Sequence, residues 1–317
     1  MRHNERETIW VEKFRPDCVE DIVLPTRIKS QFEDIVKGDE IPNMLFYGGP
    51  GVGKTTLAKA LCKEVDVDWL IINMSEETGI DVLRTKIRDF ASTLSLSGKE
   101  KKKCVILDEF ESASVHGFQA AFRGFVEAFS KTCSFILTCN FPNRVIDPIK
   151  SRMLCVDFGV TKEESMKMQA QMFKRVSAIL DFEQIPFDKR VVVKLVQKFY
   201  PDNRRMLNQI QQYSKAGEID EGILLNIEEM SVEKLVLAMK GKKFKDVRQW
   251  CAENAKNDLT NTYTMLYAEL KNFVEPSSVP QAVITIGDYQ RYDSVVPDKE
   301  IHICALATQI MMEVDFL

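Results

Sequence analysis

The chain lacks any long hydrophobic run. No stretch of eighteen or more apolar residues occurs, and the first ten residues, MRHNERETIW, are rich in charge. We therefore expect neither a transmembrane helix nor a secretory signal. The sequence predicts a cytoplasmic protein that does not bind a membrane.

Closely paired cysteines are also missing. The eight cysteines are scattered without a Cys-x-x-Cys pair, and several lie in apolar runs such as CVILDE and FILTCN. We interpret them as reduced thiols of the core, because a disulfide framework or a zinc site usually shows paired spacing.

Excess positive charge is absent as well. The formal net charge of the 317 residues is −4, which argues against a protein that coats nucleic acid with its whole surface. Two basic runs, GKEKKK (98–103) and KGKKFK (240–245), still allow a local basic surface, although solvated loops or helix ends explain them as well.

Five short apolar runs divide the first half of the chain. Helical patterns separate them, an alternation that is typical of a parallel sheet with crossover helices. Their near-continuous apolarity indicates an α/β sheet covered on both faces. The runs are NMLFY (43–47), WLIIN (69–73), CVILD (104–108), SFILTC (134–139) and LCVDF (154–158).

The pattern becomes helical after Gly159. Thr161 and Glu164 have the spacing of a capping box, and apolar residues follow at intervals of three and four. A second helical block starts near Met230 and ends in the apolar segment EIHICALATQIMMEV (300–314). We therefore expect an α/β core over 1–160, a small helical domain over 161–229 and a C-terminal helical domain over 230–317.

The segment GGPGVGKTT (48–56) connects the first apolar run to a helical pattern. Its glycines permit backbone angles that turn successive N–H groups into one concavity, where phosphates bind. Lys54 would reach the β and γ phosphates, and the Thr55 hydroxyl would bind Mg²⁺. A simple connecting turn is the alternative. The residues expected around the phosphates are Gly51, Val52, Gly53, Lys54, Thr55 and Thr56.

A second segment, CVILDEFE, supplies the acids that a phosphate-binding loop requires. Asp108 follows a buried strand and is the expected acid on the metal side. Glu109 is placed to polarise a water molecule for attack on the γ phosphate. A surface pair of acids is the alternative, but four apolar residues before Asp108 favour a strand that carries both acids to the edge of the sheet.

Six segments resemble, in order and spacing, the small subunits of sliding-clamp loaders, a family of AAA+ ATPases. They are WVEKFRP, LFYGGPGVGKTTLAKAL, GIDVLRTKIRDFA, CVILDEFE, CNFPNRVIDPIKSR and PDNRRMLNQI. The C-terminal part, GDYQRYDSVVPDKEIHICALATQIMMEV, is most similar to the large clamp-loader subunit of T-even-type bacteriophages. The resemblance implies a AAA+ P-loop sheet core, a small helical lid domain and a C-terminal helical collar that serves oligomerisation.

The resemblance also implies roles for single residues. Asn140 matches sensor 1, which orients the attacking water, and Arg204 matches sensor 2, which reaches the phosphates from the lid. Arg152 matches the arginine finger, which family members insert into the neighbouring subunit's site. The segment that wraps the adenine is matched by Val11, Glu12, Lys13, Phe14 and Val23.

Three positions depart from the family pattern. Met153 stands where the family usually has cysteine, and Glu111 stands where it has an aspartate. Gly124 occupies a position where many relatives carry a second arginine. Neither Met153 nor Glu111 removes a group that ATP hydrolysis requires, whereas Gly124 bears on contacts between subunits. The zinc-binding cysteines of bacterial loader subunits are missing, so we expect no metal other than Mg²⁺.

The function implied by the resemblance is ATP-driven opening of a sliding clamp and its loading onto primer-template DNA during DNA replication, with ATP and Mg²⁺ as cofactors. The implied partners are the clamp, DNA bound without regard to sequence, further copies of the chain and a different loader subunit. The implied location is the host cytoplasm if a phage encodes the protein. Arg84, Lys86 and Arg88 lie on one predicted helix, where a surface for DNA phosphates and a solvated face are equally good interpretations.

Two other functions stay open. A AAA+ motor, such as a branch-migration helicase, would need pore loops and usually a DNA-binding domain, and we find neither an aromatic pore-loop signature nor a winged-helix pattern. A nucleotide-binding scaffold without turnover is disfavoured because Lys54, Asp108, Glu109 and Arg152 are all present.

Overall fold

The computed structural model describes residues 8–77, 79, 81, 83–92, 102–215, 217–220, 232–254, 260–293 and 295–317. The chain divides into two compact units, Met1–Ile219 and Asp220–Leu317. In the described part of the chain, no helix is both long enough and apolar enough to cross a membrane.

A parallel sheet of five strands forms the centre of the first unit, with the spatial order β2-β3-β4-β1-β5. All five predicted runs are confirmed as strands to within one residue at either end. The strands are β1 (Met44–Tyr47), β2 (Trp69–Asn73), β3 (Lys103–Asp108), β4 (Cys133–Cys139) and β5 (Leu154–Asp157). Because β4 lies between β1 and β3, the loops that follow these three strands meet at one edge of the sheet.

Burial of the strands depends on their place in the sheet. Every residue of central β4 is buried, as its continuous apolar run predicts. The same prediction is wrong for β5, whose residues Leu154, Cys155 and Asp157 are exposed. β5 is an edge strand that pairs only with β1 in this sheet, so fewer neighbouring side chains cover it.

Helices cover both faces of the sheet. Met44 and Phe46 pack in one buried cluster with Phe32 and Leu57, while Leu45 packs in a second cluster with Phe122. This alternation follows from the two-residue period of a strand. The helices of this part are α1 (Trp10–Lys13), α2 (Thr26–Gly38), α3 (Lys54–Glu64), α4 (Arg88–Ser92), α5 (Ala120–Ala128) and α6 (Asp147–Lys150).

Three helices complete the first unit: α7 (Lys162–Phe182), α8 (Lys189–Phe199) and α9 (Asn203–Ser214). The predicted capping box is present, because the Glu164 amide donates to the Thr161 hydroxyl and the Thr161 amide donates to the Glu164 carboxylate. Asp202 caps α9 through the amide of Arg205 at 3.0 Å. These caps define where the helices begin.

The second unit is helical, with a buried core of its own. Its last helix agrees with the predicted segment 300–314 to within one residue. The boundary predicted at Met230 lies outside the described residues. The helices are α10 (Val232–Lys240), α11 (Phe244–Asn254), α12 (Thr260–Leu270), α13 (Val279–Tyr292) and α14 (Lys299–Glu313).

One buried glutamine connects two loops of the first unit. The Gln119 side chain is fully buried. Its amide nitrogen donates to the carbonyls of Ala113 and Arg144, both at 3.0 Å, and its oxygen accepts from the amide of Ile146 at 3.0 Å. These bonds satisfy backbone groups that water cannot reach. They also hold the loop at Ala113, which precedes β4, against the loop that connects β4 to α6.

Gln119→Met should destabilise the first unit by about 2 to 4 kcal/mol, because methionine fills the same volume but leaves buried backbone groups unpaired. Urea unfolding followed by hydrogen exchange at the amides of β3 and β4 measures this free energy. Gln212→Met, at an exposed position of α9, is the matched control and should change it by less than about 0.5 kcal/mol. Equal stability of the two variants would contradict a structural role for the three bonds.

Candidate nucleotide-binding site

A cleft opens at the edge of the sheet where β1, β3 and β4 end. The P-loop, the acids after β3 and the tip of β4 form one side, and the N-terminal segment with α7 and α9 forms the other. The residues that line it are Val11, Phe14, Arg15, Pro16, Ile22, Val23, Pro50, Gly51, Val52, Gly53, Lys54, Thr55, Thr56, Asp108, Glu109, Thr138, Cys139, Asn140, Met172, Arg175, Asn203, Arg204 and Leu207.

Glycines give the P-loop its shape. Gly51 and Gly53 have φ values of 71° and 100°, which side-chain-bearing residues rarely adopt. A Cβ atom at Gly51 would lie 1.9 Å from Asp202 Oδ1, so a larger residue would push the start of α9 away. The Asn203 amide donates to the Gly51 carbonyl at 3.2 Å. The N-terminus of α3, which Gly53 precedes, provides backbone N–H groups for an anion.

The Lys54 ammonium is buried at the centre of the cleft, with its residue only 8 % exposed. It donates to the carbonyls of Gly48 and Gly49 at 2.8 and 2.7 Å, and to Asn140 Oδ1 at 2.8 Å. All three acceptors are neutral. Burial lowers the pKa of Lys54, and the charge of the Glu111 carboxylate opposes that shift. An anion in the cleft would supply the charge partner that these neutral oxygens do not.

Three oxygen groups meet at the end of β3. Asp108 Oδ1 accepts a hydrogen bond from the Thr55 hydroxyl at 2.7 Å and another from the Thr138 hydroxyl. Carboxylate and hydroxyl oxygens are ligands that Mg²⁺ accepts, directly or through water. The residues present therefore fit a Mg²⁺ ion held by Thr55 and Asp108.

Glu109 lies next to this group in an uncommon backbone conformation. Its φ and ψ are 54° and 43°, in the left-handed region, and its amide donates to Thr138 Oγ1 at 3.3 Å. Such a conformation costs on the order of 1 kcal/mol for a residue with a side chain, and it is frequent at functional sites. It brings the Glu109 side chain to the cleft, beside Asp108.

Asn140 is oriented from two directions. Its side-chain oxygen accepts from Lys54, and its backbone amide donates to Glu111 Oε1 at 2.9 Å. The second oxygen of Glu111 is buried without a hydrogen-bond partner among the described residues. The glutamate that departs from the family pattern thus supports the residue that matches sensor 1.

The apolar end of the cleft contains only part of the predicted adenine segment. Val11, Phe14 and Val23 line it together with Ile22 and Leu207, and such apolar walls suit a flat aromatic base.

Two other residues of that segment do not line the cleft. The Lys13 ammonium lies 2.6 Å from the Glu183 carboxylate, and Glu12 pairs with Arg15. Lys13 therefore has its charged partner outside the cleft, whereas the partner of Glu12 is an arginine that lines the cleft.

Three arginines line the cleft. Arg204, at the start of α9, is one of them. Arg15 and Arg175 were missed by the sequence analysis. Arg15, which donates to Thr56 Oγ1 at 3.1 Å, lies within the matched segment WVEKFRP and could have been included. Arg175 had no such signal, because only the packing of α7 brings it to the cleft.

Arg152 does not line the cleft of its own chain. Its guanidinium donates to Glu127 Oε1 at 2.8 and 2.5 Å and to the Pro148 carbonyl at 2.7 Å. The side chain is partly exposed. Lys54, Glu109 and Asn140, which the sequence predicts to act in hydrolysis, therefore line one cleft, whereas Arg152 lies on another surface.

The three basic residues considered for DNA differ in their surroundings. The Lys86 ammonium is 2.6 Å from the Glu77 carboxylate, which fits the solvated-face interpretation. Arg88 is exposed. The side chain of Arg84 lies outside the described residues.

Solved structures with a similar fold include two of Thermotoga maritima RuvB. The structure titled RuvB Holliday junction branch migration motor has a TM-score of 0.53 at 13% sequence identity, with 71% of this chain and 78% of that chain covered. A structure of a RuvB point mutant has a TM-score of 0.55 at 13% identity, with coverage of 71% and 79%. At such low identity these similarities show the fold alone.

Family comparisons match most of the chain in three parts. Residues 44–158 match the ATPase family associated with various cellular activities (AAA). Residues 164–225 match the AAA+ ATPase lid domain of the sliding-clamp-loader large subunit. Residues 260–315 match the C-terminal domain of the same large subunit.

Similar proteins agree with these matches. The sliding-clamp-loader large subunit of Enterobacteria phage T4 is 32% identical over 99% of this chain and 98% of that protein, and that of Escherichia phage RB69 is 31% identical over 98% of each. The replication factor C small subunit of Sulfurisphaera tokodaii is 34% identical over 68% of this chain and 65% of that protein. The chain therefore belongs to the sliding-clamp-loader large-subunit family of AAA+ ATPases.

Proposed function

We propose that the chain is an ATPase subunit of a DNA polymerase sliding-clamp loader, which opens the clamp with the energy of ATP and loads it onto primer-template DNA during phage DNA replication. The observation that carries this proposal is the meeting of Lys54, Asn140, Thr55 and Asp108 in one cleft. It occurs in a chain that matches phage clamp-loader subunits over nearly its full length.

Binding of ATP uses both ends of the cleft. Val11, Phe14 and Val23 contact the base, while the P-loop amides and Lys54 bind the phosphates. Lys54 is buried among neutral oxygens, so a phosphate provides the missing counter-charge. Arg204 adds a cation from the lid side. Phosphate binding therefore draws the P-loop and α9 together around one ligand.

Hydrolysis uses the residues after β3 and β4. Glu109 accepts a proton from the attacking water, and Asn140 holds that water through its amide. Thr55 and Asp108 would hold Mg²⁺, which would supply positive charge close to the negative charge of the phosphates. Lys54 donates to the Asn140 side-chain oxygen, so a Lys54 that turned towards a phosphate would leave that oxygen available to water.

We assign residues 1–160 to the ATPase core, 161–229 to the lid and 230–317 to the collar that joins subunits. The matched families support this order of domains. The partners are other copies of the chain, a different loader subunit, the clamp and primer-template DNA. Arg84, Lys86 and Arg88 are candidates for contacts with DNA phosphates.

Arg152 acts on ATP bound by a neighbouring subunit. Its absence from its own cleft and its place on a different, exposed surface support this role. Release from Glu127 would free the guanidinium for the γ phosphate of the neighbour, where an arginine stabilises the charge that develops during transfer.

Lys54→Ala should lower ATP turnover on the order of a hundredfold or more, because it removes the cation at the phosphates. The fold should persist, since Lys54 contacts loop oxygens and not the apolar core. Turnover and thermal unfolding are measured on one preparation. Lys131→Ala, an exposed position, is the control and should behave as wild type. Turnover of Lys54→Ala at the control's rate would contradict the P-loop assignment.

Glu109→Gln should separate ATP binding from hydrolysis. The amide keeps the size of the side chain but cannot accept the proton, so single-turnover hydrolysis should slow by about a hundredfold or more while the Kd for ATP stays within about twofold. Glu76→Gln, at an exposed position, controls for loss of a nearby negative charge. If affinity falls as much as the rate, Glu109 has a structural role and another residue is the base.

Mixing Arg152→Ala with Lys54→Ala tests action between subunits. Neither variant should hydrolyse ATP well alone. Mixed before assembly with the partner subunit, clamp and primed DNA, some interfaces pair an intact P-loop with an intact Arg152, and turnover should rise above the sum of the two.

Sedimentation must show that the two variants have assembled together. In the control, a variant at an exposed position of α8, Arg190→Ala, is used in place of Arg152→Ala. This variant should hydrolyse ATP without mixing. A co-assembled mixture no more active than its parts would show that Arg152 does not act in trans.

A further inference from the structure

One arginine of the lid holds the segment that forms the base end of the cleft. Arg175 lies on α7 and lines the cleft. Its guanidinium donates to the Phe14 carbonyl at 2.7 Å and to the Asp21 carbonyl at 2.8 Å. Because a guanidinium is planar and its donors have fixed directions, it determines how far apart these two carbonyls lie.

The first of these carbonyls belongs to a stretch that is attached to the lid helices. The Trp10 amide donates to Gln211 Oε1 of α9 at 3.0 Å. Lys13 pairs with Glu183 at the end of α7 at 2.6 Å. The ring of Phe14 packs edge-on against Phe182, with centroids 5.7 Å apart. Trp10, Lys13 and Phe14 therefore contact α7 and α9, whereas Glu12 pairs with Arg15.

The second carbonyl belongs to a stretch that is attached to the P-loop helix. Arg15 donates to Thr56 Oγ1 on α3 at 3.1 Å. The Val19 amide donates to Glu64 Oε2 at the end of α3 at 3.0 Å, and Asp17 pairs with Lys63. The segment thus passes from the lid to the core after Phe14, and Arg175 binds a carbonyl on each side of that crossing.

The residues that surround the base lie on both sides of the same crossing. Val11 and Phe14 precede it, and Ile22 and Val23 follow it. The width of the pocket therefore depends on how the two stretches are spaced.

Burial lowers the pKa of Arg175, with the nearby Asp21 carboxylate opposing the shift. A desolvated cation that bonds to two neutral carbonyls contributes little stability by itself.

We propose that Arg175 is a positioning residue for the nucleotide base: it sets the spacing of the two stretches that enclose the base and ties that spacing to lid helix α7. The inference rests on the proposed function in taking this cleft as an ATP site. It adds that base binding and lid position are coupled through Arg175, independently of Arg204 and the phosphates.

The test compares two ligands, ATP and inorganic tripolyphosphate, each with Mg²⁺. In Arg175→Met the Kd for ATP should rise about tenfold to a hundredfold, because the hydrogen bonds that space the base walls are lost. The Kd for tripolyphosphate, which lacks a base, should stay within about twofold. Arg175→Lys keeps the charge and can reach one carbonyl. Its Kd for ATP should therefore lie between those of Arg175→Met and the wild type. Lys174→Met, an exposed neighbour on α7, should match wild type for both ligands.

Two results would overturn the inference. If Arg175→Met loses as much affinity for tripolyphosphate as for ATP, Arg175 acts on the phosphates. If its affinity for both ligands is unchanged, the spacing of the carbonyls has no effect on binding of the base. If Arg175→Met fails to fold, Arg175→Lys decides by the same comparison. A wild-type chain that binds neither ligand would overturn the proposed function itself, which separates the two failures.

Discussion

The buried ammonium of Lys54 is the interaction on which the site depends. It connects the P-loop carbonyls of Gly48 and Gly49 to Asn140 at the tip of β4, and all three of these hydrogen-bond acceptors are neutral. A desolvated cation among neutral acceptors favours any anion that can enter. The position of β4 between β1 and β3 makes this contact possible, because it places Asn140 between the P-loop and the acids of β3.

The cleft has two sides that are held together at a few points. Gly51 contacts Asp202 and Asn203 at the start of α9, and the N-terminal segment is bonded both to the lid helices and to α3. A ligand that touches the phosphate loop and the apolar end therefore touches groups carried by both sides. Binding energy at either end is therefore available to orient the lid relative to the sheet.

Much of the architecture could be predicted from local pattern. The five apolar runs became strands because continuous apolar segments are stable only when packed, and GGPGVGKTT formed a tight loop because glycine tolerates positive φ. The acids Asp108 and Glu109 lie where the end of a buried strand delivers them. The predictions were less complete for charged side chains that have several possible partners. Lys13 pairs with Glu183 and Glu12 with Arg15, although both belong to the segment that was matched to adenine binding.

The sequence by itself determined the fold class and the family, since these depend on residue types at short spacing that favour one local arrangement. The tertiary structure alone decided the exposure of β5, the buried bonds of Gln119, the outward position of Arg152 and the place of Arg175. Each of these depends on which distant elements meet. A guanidinium that bonds to carbonyls 154 and 161 residues away in the chain leaves no local pattern, because its partners are backbone groups that every residue carries.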